Sequence, residues 1–147
     1  RVITLEETLD ILKQAEEEGL VLQPSNSQEI TNICCCCGDC CQILLNLKHH
    51  PAPVTVAYTP FVVQVDPEAC IGCEICMDRC QMDALTLEDE QVVLNSDRCI
   101  GCGLCVSTCP TDSLILKRKS GGKHVPLNLE TTWKEISLAR ADKQTCL

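Results

Sequence analysis

The chain has 147 residues, a net charge of −9 and fifteen cysteines, against one Phe, one Tyr and one Trp. So few large apolar side chains exclude a hydrophobic core as the sole source of folding energy, and the acidic balance excludes nucleic acid as a partner. No apolar run approaches membrane-spanning length and no secretory leader is visible, so neither a membrane span nor an oxidising compartment is expected, and the chain is read as cytoplasmic.

The first segment predicts a helix from about Leu5 to Glu18. Thr4 followed by Glu7 is a capping box, Leu5, Leu9, Leu12 and Ala15 recur at helical spacing, and Gly19 is a stop. Glu16, Glu17 and Glu18 fall in the last turn, where the helix dipole disfavours them, and they read as a solvated face. Because Arg1 stands just before the cap, the chain also reads as a piece of a longer protein.

Next comes Cys34-Cys35-Cys36-Cys37-Gly38-Asp39-Cys40-Cys41. Cys34, Cys37 and Cys40 have the spacing of three ligands to an iron–sulfur cubane, and Cys41 is the nearest candidate for a fourth. Cys35, Cys36, the distant Cys146 or a cysteine from elsewhere are the alternatives. Six thiols in eight residues are costly unless used, so a third metal centre is expected at Cys34, Cys37, Cys40 and Cys41. Iron–sulfur is the first reading, with zinc or a structural thiol cluster as alternatives.

Ile43, Leu44 and Leu47 then mark one face of a short helix closed by His49-His50-Pro51. The histidines suit the dipole of that helix end better than ligation. Residues 51–60 contain three prolines and are expected to be an extended connector into a strand at Phe61 to Val65.

The strongest signal follows. Cys70, Cys73, Cys76 and Cys80 recur at one constant offset as Cys99, Cys102, Cys105 and Cys109, and Ile71-Gly72 recurs as Ile100-Gly101. Leu85-Thr86-Leu87 falls on Leu114-Ile115-Leu116, each a short strand signal. Zinc sites use separated cysteine pairs, and disulfides fail on compartment, so neither suits this spacing. Residues 61–118 thus resemble a bacterial-type 2[4Fe–4S] ferredoxin. The resemblance implies an α+β, ferredoxin-like dicluster domain with a pseudo-twofold axis. It also implies crossed ligation: Cys70, Cys73, Cys76 and Cys109 hold one [4Fe–4S] cluster, and Cys99, Cys102, Cys105 and Cys80 hold the other. One departure is Gln81, where the second motif has Pro110. The order of helix, cysteine run, helix and dicluster motif also resembles the C-terminal part of longer 4Fe–4S binding proteins of anaerobic bacteria.

Charge is unevenly placed. Residues 61–116 carry ten acids against Arg79 and Arg98, a balance of −8, whereas seven bases and three acids follow, a balance of +4. An acidic dicluster face suits a redox partner with a basic docking patch. Ser120-Gly121-Gly122 marks a flexible joint before a terminal helix on Leu129, Trp133 and Ile136, with Trp133 as its packing anchor. Three domains are expected: a helical, cysteine-rich module at 1–60, the dicluster domain at 61–118, and a linker with a C-terminal helix at 119–147.

No nucleophile triad, phosphate loop or flavin or nicotinamide fingerprint is present. The expected function is electron transfer through two [4Fe–4S] clusters, without catalysis by this chain alone. The alternative is the redox domain of an iron–sulfur oxidoreductase whose catalytic centre lies upstream or on another subunit.

Overall fold

The structure, a computed structural model, describes residues 1–57, 59–121 and 125–144. Gly122 of the expected joint and Cys146 lie outside the described residues. In chain order the elements are α1 (Leu5–Glu17), β1 (Val21–Pro24), β2 (Ile33–Cys36), α2 (Gln42–His49), a 3-10 turn (Pro53–Thr55), β3 (Phe61–Val65), α3 (Ile75–Asp78), β4 (Leu85–Glu88), β5 (Gln91–Leu94), β6 (Leu114–Arg118) and α4 (Leu129–Gln144). Helices and short strands are therefore mixed, with β1–β2, β3–β6 and β4–β5 each forming a two-stranded sheet.

Local chemistry accounts for the ends of α1. The Thr4 hydroxyl accepts the Glu7 N–H while the Glu7 carboxylate accepts the Thr4 N–H, the reciprocal bonds of a capping box. The Arg1 guanidinium, 2.7 Å away, and the Thr4 N–H hold the Glu7 carboxyl below its ordinary value. At the other end Gly19 has φ of +81°, its N–H reaches the Glu16 carbonyl, and the Leu20 N–H reaches that of Ala15. This is a Schellman closure, which only a left-handed residue completes without strain. Near residue 53 the expectation of an extended connector fails: Pro53 opens a 3-10 turn and is fully buried, its fixed φ suiting a first helical position.

The described residues fall into two compact units. Residues 1–22 and 35–121 form one, and residues 23–34 with α4 form the other. The boundary expected at residue 60 thus does not separate compact units, because α1 and α2 pack with the dicluster segment. Their C-terminal carbonyls explain why. Arg79 donates from its two terminal nitrogens to Glu16 and Glu17 of α1, and Arg98 does the same to Lys48 and His50 at the end of α2. The negative end of the α1 dipole, which the exposed Glu17 and Glu18 do not complement, meets a positive charge there.

In the first unit β3 pairs antiparallel with β6 from Val65↔Leu114 to Phe61↔Arg118, and β4 pairs with β5 from Leu85↔Leu94 to Glu88↔Gln91. The repeat offset that carries Cys70 onto Cys99 also carries Val65 onto Leu94 and Leu85 onto Leu114, so one ladder maps onto the other in register. Left-handed backbone recurs at the same offset, at Gly72 and Gly101, Glu74 and Gly103, and Asp83 and Asp112. Val63, Leu85, Val92 and Leu114 form the core of this unit together with Leu44, Met82, Cys76, Cys99 and Cys105. Cysteine supplies part of the packing where large aromatics are absent.

In the second unit the Gln28 and Glu29 N–H groups donate to the Pro126 and Leu127 carbonyls. Asn128 accepts the Thr131 N–H at the start of α4. Trp133, expected as a packing anchor, is 58% exposed. Lys134 and Glu135 beside it are also exposed, so the apolar stripe read from spacing does not become a buried face.

Candidate metal centres

The eight repeat cysteines separate into two sets. Cys70, Cys73, Cys76 and Cys109 line one cavity, with Glu74, Val92 and Ser113. Cys80, Cys99, Cys102 and Cys105 line a second, with Arg79, Met82 and Leu104. Each set takes three cysteines from one repeat and the fourth from the other. Glycine makes both loops possible. Gly72 and Gly101 have φ of +64°, and a Cβ on Gly101 would strike the Phe61 carbonyl while one on Gly72 would strike that of Glu90.

Thiol electrostatics follow the same division. Burial pushes the Cys105 thiol up to about 12, with Cys102, Cys80 and Cys99 adding to the shift. Burial likewise pushes Cys76 up, with Cys109, Cys73 and Cys70 adding to the shift. Four thiolates in one cavity repel one another, so each set calls for a cationic centre. Cys109 goes the other way. Burial opposes ionisation there, but hydrogen bonds from Ser113 and Thr111 prevail and bring the thiol to about 7. The Ser113 hydroxyl lies 3.1 Å from Cys109 Sγ, and the Ala84 N–H donates to Cys80 Sγ at 3.2 Å. Donors aimed at sulfur are what an iron-bound thiolate uses.

Among the described residues, no three His, Cys, Asp or Glu side chains converge on a point that a single metal ion would occupy. A zinc tetrahedron with Zn–S near 2.3 Å would need sulfurs about 3.8 Å apart. A cubane takes four thiolates, one on each iron. The residues present fit iron–sulfur clusters.

Residues 63–116 match the family model described as a 4Fe–4S dicluster domain. This segment is of the 2[4Fe–4S] ferredoxin type. No curated protein matches the chain. The match spans β3 to β6, and the cysteine run at 34–41 lies outside it.

Within that run the structure brings together Cys37 and Cys40, whose sulfurs are 2.7 Å apart. Their contact lowers Cys37 and raises Cys40, and either sulfur could be the donor. Cys41 is the N-cap residue of α2 and packs against the core. Cys34 belongs to the second unit, where the Asn32 side-chain amide lies 3.5 Å from its sulfur. Two residues that spacing did not single out also serve these sites. Gln81 accepts the Gly38 N–H at 3.0 Å, and Arg79 lines the second cavity. The one signal for Gln81 was its place where the other repeat has proline.

Proposed function

We propose that the chain transfers single electrons through two [4Fe–4S] clusters held by crossed ligation, within a pseudo-twofold dicluster domain. What supports this reading most is that each of two cavities draws four cysteines from this chain alone, three from one repeat and one from the other. When bound, each cluster supplies one-electron redox chemistry. The cysteines complete their own ligand sets and leave no position for substrate, unlike catalytic metal sites that keep one open. Val92, Leu104 and Met82 keep water from the sulfurs, and the Ala84 and Ser113 donors hold the crossing thiolates.

The same reading makes the chain a module of a larger redox system in a reducing, cytoplasmic setting, with a basic partner surface opposite the −8 balance of residues 61–116. No helix among the described residues is long and apolar enough to cross a membrane. A third centre at Cys34, Cys37, Cys40 and Cys41, iron–sulfur by its spacing, extends the path. Its structural support is the Cys37–Cys40 contact, in a loop whose Gly38 N–H is held by the Gln81 side chain.

A reductive titration under anaerobic conditions tests the reading. Two one-electron steps are expected from the dicluster segment, with no spectral response to added substrates. A non-cysteine ligand on either cluster, or substrate turnover by the isolated chain, would overturn it.

A further inference from the structure

Arg79 and Arg98 do the same work at two helix ends and differ at one atom. Arg79 donates from Nη1 to the Glu17 carbonyl at 3.0 Å and from Nη2 to that of Glu16 at 2.6 Å. Arg98 donates from Nη1 to the His50 carbonyl at 3.3 Å and from Nη2 to that of Lys48 at 3.0 Å. The Nε–H of Arg98 is satisfied by the Met82 carbonyl at 2.7 Å. The Nε of Arg79 is buried with no hydrogen-bond partner among the described residues.

A capping role alone therefore does not explain the open donor. A guanidinium keeps its charge in a protein, and a buried N–H left without an acceptor is rare in native structures. Arg79 lines the cavity shared by Cys80, Cys99, Cys102 and Cys105 and directly precedes Cys80 in the chain. An acceptor for its Nε–H is available in whatever fills that cavity, and the matching chemistry is an anionic sulfur.

We infer that Arg79 donates its Nε–H to a sulfur of the cluster held by Cys80, Cys99, Cys102 and Cys105, and that its charge raises the reduction potential of that cluster. This rests on the two-cluster reading. Accepting one electron breaks no bond and requires no proton; it adds one negative charge to the site. A fixed cation with a donor aimed at sulfur favours the reduced form more than the oxidised one. The other repeat has no equivalent. Thr108 holds the matching position there, and its hydroxyl donates to the Leu104 and Cys105 carbonyls. Helix α1 becomes part of the tuning device, since its last carbonyls hold the guanidinium in place. Gly19 packs against that guanidinium, where a Cβ would come within 3.1 Å of Nη1.

The test uses the full chain, reconstituted anaerobically, labelled with [15N]arginine and reduced. Pulsed electron-nuclear resonance is expected to detect a 15N coupling to one of the two clusters, and Arg79→Lys should abolish it while keeping an amine near the α1 carbonyls. Potentiometric titration should move one midpoint potential negative in Arg79→Gln, less so in Arg79→Lys, with the other midpoint in place. Absence of any 15N coupling in the unmodified chain, with both midpoints unmoved in both variants, overturns the inference. Iron counts on the same samples separate the two failures. Fewer than about eight irons in the unmodified chain overturns the two-cluster reading, and this inference with it.

Discussion

Gly38 donates its backbone N–H to the side-chain oxygen of Gln81 at 3.0 Å, and this bond joins the cysteine run to the residue that follows Cys80. The amide nitrogen of Gln81 donates in turn to the Gly19 carbonyl at 3.3 Å. Proline, which holds the matching position after Cys109, has no side chain able to do either. A Cβ at Gly38 would strike Gln81 Oε1, so a larger residue there would force that side chain to shift. Arg79, Cys80 and Gln81 are thus three consecutive residues that hold α1, line the second cavity and hold the 34–41 loop.

Removing the amide in Gln81→Ala is expected to destabilise the first unit by about 1–2 kcal/mol, since Gly38 is buried and its N–H loses its acceptor. Hydrogen exchange should speed up at Gly38 while the β4–β5 ladder stays protected. Unchanged exchange at Gly38 would mean that the bond does not anchor the loop.

Glu74 has φ of +63° at the place where the second repeat has Gly103. A left-handed residue other than glycine costs about 1–2 kcal/mol, and glycine's added freedom in the unfolded chain returns about half of that. Glu74→Gly should therefore stabilise the protein by about 0.5–1 kcal/mol. Gly101→Ala should do the reverse and prevent assembly of the second cluster, because its Cβ would collide with the Phe61 carbonyl. Denaturation midpoints and iron retention check the pair together.

Ser113 gives Cys109 a hydroxyl donor at 3.1 Å, and the matching position in the other repeat is Ala84. Ser113→Ala should move the potential of the Cys70, Cys73, Cys76 and Cys109 cluster negative. The shift should be on the order of tens of millivolts, the one-electron equivalent of a hydrogen bond worth about 1 kcal/mol. Ala84→Ser should move the other cluster positive. A shift in the wrong cluster would contradict the crossed sets.

Cys109→Ser separates the two ligand assignments more directly. Loss or conversion of the cluster held by Cys70, Cys73 and Cys76 is expected, with Cys99, Cys102 and Cys105 still protected from alkylation. The opposite protection pattern would place Cys109 with its own repeat.

The repeat cysteines, the α1 cap and the strand at Phe61 to Val65 were legible because each signal is local: a spacing of three or four positions, or an alternation of apolar residues. The paired ladders follow from the repeat itself, since both strands of each pair recur at the offset that relates Cys70 to Cys99. Arg79 and Gln81 were not legible, because their partners lie 62 or 63 and 43 residues away, and no local pattern marks a side chain that caps a distant helix or catches a distant N–H. The same distance effect moved the unit boundary away from residue 60. Trp133 misled for a different reason. Helical spacing places apolar residues on one side of α4 but does not say that anything covers them, and the ring is exposed. The triad Cys34, Cys37 and Cys40 was visible as spacing, and within it Cys37 and Cys40 come into contact.

Iron, acid-labile sulfide and zinc per chain, measured on anaerobically purified protein, test the central claim most directly. Two cubanes require about eight irons and eight sulfides, and a third at the 34–41 run would raise both to about twelve, with no stoichiometric zinc. Fewer than about eight irons, or zinc in place of iron, would contradict electron transfer through two clusters.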